Sequence, residues 1–79
     1  MSDEHYQRVH AIFVKMLTDQ QMEAMNPEAT MDDVDGWDSM SFLEMIMGIE
    51  DDYGIRIDGL DATNLTSIPN ILDYLQNKT

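Results

Sequence analysis

The sequence predicts an all-α fold, a small four-helix bundle of three main helices and one short helix, with a long loop between helices one and two. Apolar residues recur at helical spacing in three separate segments. No two segments with strand-like alternation are joined by a hairpin turn. With 79 residues, the chain is long enough for one small core, which supplies about 3–5 kcal/mol of net stability. We therefore expect residues 1–79 to form a single domain.

The first helix is predicted over residues 3–19. Its buried stripe, with Ile12 at the edge, is expected to contain Tyr6, Val9, Phe13, Met16 and Leu17. His5 and His10 are interpreted as ordinary surface or boundary residues, because no second histidine follows either at metal-binding spacing.

Residues 20–37 are predicted to form the long loop, since they contain Pro27, Gly36 and many polar positions. Four apolar side chains are expected to anchor this loop on the core: Met22, Met25, Met31 and Val34.

The second helix begins with a polar pair. Asp38 is predicted as the N-cap, because an aspartate oxygen can accept hydrogen bonds from the N–H groups of the first turn. Ser39 then becomes the first helical residue, with its hydroxyl at the positive end of the helix dipole. An anionic group attached to that hydroxyl would be stabilised there.

This helix has two distinct faces. The core face is expected to contain Phe42, Met45, Ile46, Ile49 and Tyr53. The opposite stripe is formed by Met40, Glu44, Met47 and Asp51. Methionine side chains are flexible and suit surfaces that bind several partners. Acidic residues beside them attract partners with basic surfaces. The alternative is that the two methionines pack beneath a neighbouring loop.

The remainder of the chain is predicted to close the bundle. Gly54 suits a left-handed helix end, and residues 55–57 are expected to form an extended connector. A short helical turn is predicted near residues 61–65. Thr66 or Ser67 is expected to cap the last helix, with Pro69 in its first turn. Its buried stripe should contain Ile68, Ile71, Leu72 and Leu75.

Charge and composition restrict the partners. The net charge is −12, from 16 acidic residues against 4 basic ones, which argues against nucleic acid or an anionic membrane as the main partner. Partners should instead present basic patches. The chain has no cysteine, so any thiol chemistry requires an added cofactor. No apolar run has the length of a membrane span and the start lacks a signal-peptide pattern, so we expect a cytoplasmic protein.

Two other kinds of site fit poorly. An EF-hand loop with Gly36 at its sixth position would place Met31 first and Phe42 last, where carboxylates are required. A hydrolase using Ser39 would need a nucleophile elbow that the chain lacks. We therefore expect no metal site and no catalytic residue, although clustered carboxylates remain compatible with weak association of calcium or magnesium.

The segment around Asp38-Ser39-Met40 resembles the acyl carrier proteins, the phosphopantetheine-bearing proteins of fatty acid, polyketide and related pathways. The resemblance continues through residues 43–55, and returns at Thr66-Ser67-Ile68 and residues 72–75. It implies a 4′-phosphopantetheine arm, derived from coenzyme A and joined to Ser39, whose thiol carries acyl groups as thioesters. Asp38 corresponds to the acidic residue before the modified serine.

The resemblance also implies a partner-reading surface and no catalysis by the chain itself. The positions presented to partners are Met40, Glu44, Met47, Glu50 and Asp51. Trp37 is predicted as a further partner-binding residue from its size and its place two residues before Ser39. The implied partners are a phosphopantetheinyl transferase, an acyl-loading ligase or acyltransferase, and a ketosynthase or other acyl-processing enzyme with basic patches. A monomer is expected. The alternative hypothesis is an acidic helical docking module that is never modified.

Two residues depart from the pattern of housekeeping fatty-acid carriers. Trp37 stands where those carriers have a small residue, and Ser41 stands where they usually have an acid. The Gly-Trp-Asp-Ser form looks more like the free-standing carriers of specialised pathways. We expect the Trp37 ring to be half exposed and to contact the arm or a partner. The alternative is that it only fixes the long loop to the bundle.

Overall fold

The computed structural model describes residues 2–78, which form five helices. These are α1 (Ser2–Met16), α2 (Asp19–Met22), α3 (Ser39–Tyr53), α4 (Gly59–Ala62) and α5 (Ile68–Lys78). Within residues 2–78 there is no strand, and β-type pairing is limited to an isolated bridge between Thr30 and Ser67. The predicted all-α class is confirmed, with one more short helix than expected.

The core lies between the three long helices, because α1 packs against both α3 and α5. Val9 and Phe13 of α1 are buried as predicted, and so is Leu17, which directly follows the helix. The four apolar positions predicted for the last helix are also buried: Ile68, Ile71, Leu72 and Leu75. The predicted core face of α3 is confirmed too, with Met45, Ile46 and Ile49 buried, and Phe42 and Tyr53 partly buried against them. These contacts fix the position of α3 in the bundle.

The first helix is shorter than predicted. It ends at Met16, and a separate helical turn, α2, contains Asp19, which we expected at the end of the first helix, and residues 20–22, which we expected to be loop. A reciprocal capping box explains this turn. The Thr18 hydroxyl accepts a hydrogen bond from the Gln21 N–H at 3.2 Å, and the Gln21 side chain accepts one from the Thr18 N–H at 2.9 Å.

The long loop is anchored on the core as predicted. Met25 and Val34 are buried, and Met22 and Met31 are partly buried. Ala29, which was not predicted as an anchor, is also buried. Its carbonyl accepts a hydrogen bond from the Ile68 N–H at 2.8 Å, which ties the loop to the start of α5.

The connection from α3 to α5 follows the prediction with one shift. Gly54 ends α3 in the left-handed conformation, with a φ of 65°. Helix α4 begins two residues earlier than the turn that we predicted, because Asp58 acts as its N-cap and accepts a hydrogen bond from the Leu60 N–H at 3.1 Å. The Ser67 hydroxyl accepts from the Asn70 N–H at 3.2 Å in the first turn of α5.

A group of side chains ties α1 to the end of α3. Arg8 donates from Nε to the Asp52 carboxylate at 2.8 Å, and its guanidinium carbon lies 3.9 Å from the centre of the Tyr53 ring. A 2.8 Å hydrogen bond joins His5 Nδ1 to the Tyr53 hydroxyl. Burial raises the pKa of Tyr53 above its ordinary value, and the nearby Arg8 charge opposes that rise. Arg8 also places positive charge at the negative end of the α3 dipole.

Candidate cofactor attachment and docking site

Ser39 is the first residue of α3, and its side chain is exposed. Asp38 precedes it in an extended conformation and is the N-cap, as predicted. One oxygen of the Asp38 carboxylate accepts hydrogen bonds from the N–H groups of Met40 and Ser41, each at 3.1 Å. The Asp38 carbonyl accepts from the Phe42 N–H at 2.7 Å. The serine hydroxyl is therefore presented to solvent by a well-ordered helix start.

The same hydrogen bonds bear on the expectation that an anion attached to Ser39 would be stabilised at the helix end. The N–H groups of Met40, Ser41 and Phe42 already donate to Asp38. An anion on Ser39 would therefore share the start of the helix with the Asp38 carboxylate. Because Ser39 is exposed, a group attached to its hydroxyl would extend into solvent.

Trp37 is buried, so the expectation of a half-exposed ring is wrong. Only 3% of its surface is exposed, and its ring lies edge-on against Phe13 of α1, with centroids 4.9 Å apart. Its indole Nε1 has no hydrogen-bond partner among residues 2–78. Direct contact between this ring and a partner is incompatible with that burial. Trp37 instead fixes the loop to the bundle two residues before Ser39.

Gly36 allows the chain to approach α2 closely just before Trp37. Its φ is +87°, and a Cβ at this position would lie 2.5 Å from the side-chain nitrogen of Gln21. The Gln21 side chain, which forms the capping box of α2, therefore also lies against Gly36 in the segment that leads to Ser39.

The outer face of α3 is open to solvent. Met40 is 74% exposed and Met47 is 66% exposed, so the alternative in which they pack beneath a loop is wrong. Glu44, which lies between the two methionines in the sequence, and Asp51, which follows Met47 by four positions, are also exposed. We refer to Met40, Leu43, Glu44, Met47 and Asp51 as the docking surface.

Leu43 belongs to this surface although sequence reasoning did not select it. It is 60% exposed, and it lies one residue before Glu44 on α3. The signal was available, because Leu43 falls outside the buried stripe of the helix and is too apolar for a purely solvated position.

Glu50 lies at the edge of α3 and is half buried. Its carboxylate accepts a hydrogen bond from the Ile57 N–H at 2.8 Å. Glu50 therefore has a structural role, which is to hold the connector after α3 against the helix.

A shallow groove of about 320 Å³ runs between α1 and α3 beside the docking surface. Glu44 and Asp51 line it together with Lys15 of α1. Gly48 lets the two helices approach, since a Cβ there would lie 2.9 Å from Cγ2 of Ile12. The acidic edge of α3 is thus brought next to α1.

The described part of the chain contains neither a metal-binding cluster nor a membrane-spanning helix. Among the side chains of residues 4–78, no three His, Asp or Glu are grouped so that they could hold a metal ion. No helix within the same range has the length and apolar character required to cross a bilayer.

Comparison with known proteins identifies the family. A family model described as the phosphopantetheine attachment site matches residues 7–75. The chain belongs to the acyl carrier protein family. Acyl carrier proteins of Nitratidesulfovibrio vulgaris strains DP4 and Miyazaki F are each 36% identical to it over 56 residues, covering 71% of this chain and 74% of the relative.

Membership in this family is consistent with the exposed position of Ser39. Acyl carrier proteins are non-catalytic, and they bear a covalently attached 4′-phosphopantetheine whose thiol carries acyl groups. An exposed serine hydroxyl at an ordered helix start fits such an attachment, because a modifying enzyme can reach it without unfolding the bundle.

Proposed function

We propose that this carrier holds its 4′-phosphopantetheine on Ser39 through a phosphodiester and presents acyl thioesters to enzymes of fatty acid, polyketide or other specialised biosynthesis. The arm comes from coenzyme A by the action of a phosphopantetheinyl transferase. Loading is then performed by a ligase or acyltransferase, and the cargo is processed by enzymes such as a ketosynthase.

The observation that carries this proposal is the position of the Ser39 hydroxyl. It is exposed on the first residue of α3, between a buried Trp37 and the docking surface. Because Asp38 accepts hydrogen bonds from the N–H groups of Met40 and Ser41, these two donors are not free to hold the phosphodiester, which remains accessible. The attachment point is rigid while the arm is free to move, as delivery of cargo to several enzymes requires.

The docking surface supplies the contact with those enzymes. Met40, Leu43 and Met47 offer exposed apolar side chains, and Glu44 and Asp51 offer negative charge beside them. A partner with an apolar contact area and a basic rim complements both features. Glu50 contributes at the edge of this surface through Oε1, because Oε2 accepts the hydrogen bond from the Ile57 N–H.

Trp37 and Ser41 support assignment to a specialised pathway instead of the housekeeping one. The Trp37 ring is held in the core against Phe13, so it acts on partner choice only indirectly, by setting the position of the helix start. The other departure, Ser41, is half buried in the first turn of α3.

Mass spectrometry of the protein purified from its native host tests this function against the unmodified docking module. We expect a population heavier by one phosphopantetheine, with the added mass on the peptide that contains Ser39, and acyl groups released by hydroxylamine. A protein that is wholly unmodified while its transferase is expressed would support the docking module instead.

A further inference from the structure

The methionines of residues 4–78 differ widely in exposure. Met40 and Met47 of α3 are 74% and 66% exposed. In contrast, Met45 on the same helix is fully buried and Met25 of the loop is 9% exposed. Met16, Met22 and Met31 lie between these extremes, partly buried against the core. Within this range, the two well-exposed methionines both belong to the docking surface.

We propose that Met40 and Met47 are oxidation sites, and that their conversion to sulfoxides by hydrogen peroxide weakens the docking of partner enzymes while the bundle stays folded. This inference rests on the proposed function, because it concerns regulation of the same docking surface.

The chemistry requires only an exposed thioether and the peroxide. The methionine sulfur attacks one peroxide oxygen, so that an S–O bond forms as the O–O bond breaks, and the departing hydroxide takes the proton of the new sulfur-bound hydroxyl to leave as water. The sulfur is oxidised by two electrons and the peroxide is reduced by two. Since exposure governs the approach of the oxidant, Met40 and Met47 should react before Met25 and Met45. Thiol-dependent methionine sulfoxide reductases reverse the reaction.

The consequence for docking follows from what the surface is made of. Its apolar part consists of Met40, Leu43 and Met47, and oxidation makes two of these three side chains polar. A sulfoxide that is buried beneath an apolar partner surface loses its hydrogen bonds to water. The carboxylates of Glu44 and Asp51 are unchanged, so long-range attraction of a basic partner is preserved. Oxidation should therefore accelerate dissociation and leave association almost unaffected.

The fold should survive because neither sulfur is part of the core. Met47 follows Met40 by seven positions, which places them about two helical turns apart on the outer face of α3. The buried face of the same helix, centred on Met45, Ile46 and Ile49, belongs to the core and packs against α1.

The test begins with graded treatment of the folded apo protein with hydrogen peroxide. Peptide mapping by mass spectrometry should show Met40 and Met47 oxidised at the lowest doses, with Met25 and Met45 protected until the protein is denatured. Equal oxidation of Met45 and Met40 in the folded protein would overturn the proposal.

The second part of the test measures modification of the carrier by a broad-specificity phosphopantetheinyl transferase with coenzyme A. Protein oxidised at the two exposed sites should show a KM for the carrier about tenfold higher, with a faster dissociation rate and an unchanged melting temperature. The double variant Met40→Leu, Met47→Leu keeps the apolar surface and removes both sulfur atoms. Its KM should stay the same before and after peroxide treatment.

The outcomes separate the two proposals. If untreated protein is labelled on Ser39 and the oxidised protein is labelled with the same KM, the oxidation proposal fails while the carrier function stands. If the leucine variant loses affinity after peroxide as the wild type does, another residue is responsible, and the assignment to Met40 and Met47 is wrong. If untreated protein is never labelled, the proposed function fails and the docking consequence fails with it.

Discussion

The rings of Trp37 and Phe13 pack in a T-shaped arrangement, with their centroids 4.9 Å apart and their planes inclined at 70°. This contact joins the residue two positions before Ser39 to the centre of α1. It explains how a loop of polar composition can place the start of α3 in a defined position. It also makes Trp37 a core residue of a small domain, in which each buried side chain is a large share of the core.

Trp37→Ala should therefore act on stability. Truncation of a buried tryptophan costs about 3–5 kcal/mol, which is close to the whole net stability of a domain this small. Thermal melting should show a large fall in midpoint, or no folded state. Trp37→Phe is the matched control, because it retains an aromatic ring against Phe13 and removes the unpaired Nε1, and it should lose less than half as much stability.

The fluorescence of Trp37 provides a second readout of the same contact. Because the ring is shielded from solvent, we expect no change in emission when Ser39 is modified. A clear emission shift on modification, or a Trp37→Ala protein that melts like the wild type, would show that the ring is not packed in the core.

Glu50→Ala should also reduce stability. Removal of the carboxylate leaves the partly buried Ile57 N–H without its partner, and such a loss costs about 1–3 kcal/mol. Urea denaturation measures this loss in the free energy of unfolding. Glu44→Ala, on the exposed face of the same helix, is the control and should change stability by no more than about 0.5 kcal/mol. Equal effects of the two substitutions would remove the structural role that we assign to Glu50.

Glu44→Lys should slow the association of the modifying enzyme more than it accelerates dissociation. At low salt we expect the association rate to fall roughly tenfold, because the substitution reverses a charge on the docking surface. Stopped-flow binding separates the two rates. Asp73→Lys makes the same change in charge on an exposed position of α5 and should have a much smaller effect. An association rate that changes neither with salt nor with the position of the reversed charge would contradict electrostatic steering.

Moderate sodium chloride should raise the melting temperature. A net charge of −12 on 79 residues opposes compaction, and added salt screens this repulsion. Each kcal/mol recovered corresponds to about 4–8 °C in a domain of this size. The measurement is calorimetry from low to moderate ionic strength. A midpoint that stays constant or falls would mean that the acidic surface does not limit stability.

The parts of the fold that could be predicted are those with sustained periodicity. The buried and exposed faces of α3, the buried stripe of α5 and the cap at Asp38 all follow from local spacing and hydrogen-bonding chemistry. Helix α2 was missed because four residues are too few to show a helical period. Its only local signal is the capping pair of Thr18 and Gln21.

Burial of Trp37 and the bond of Glu50 could not be predicted in the same way. Both depend on contacts made by the assembled bundle. Trp37 is buried by Phe13, which is 24 positions earlier in the chain, and the role of Glu50 depends on how the connector folds back after Gly54. A loop tryptophan and a helix-surface glutamate look accessible until those neighbours are in place.

Labelling of Ser39 tests the central claim most directly. The apo protein, Ser39→Ala and Ser41→Ala are each incubated with coenzyme A and a broad-specificity phosphopantetheinyl transferase, and intact masses are recorded. The account predicts one added phosphopantetheine on the wild type and on Ser41→Ala, and none on a fully folded Ser39→Ala. Labelling of Ser39→Ala, or a wild type that no transferase modifies, would contradict it.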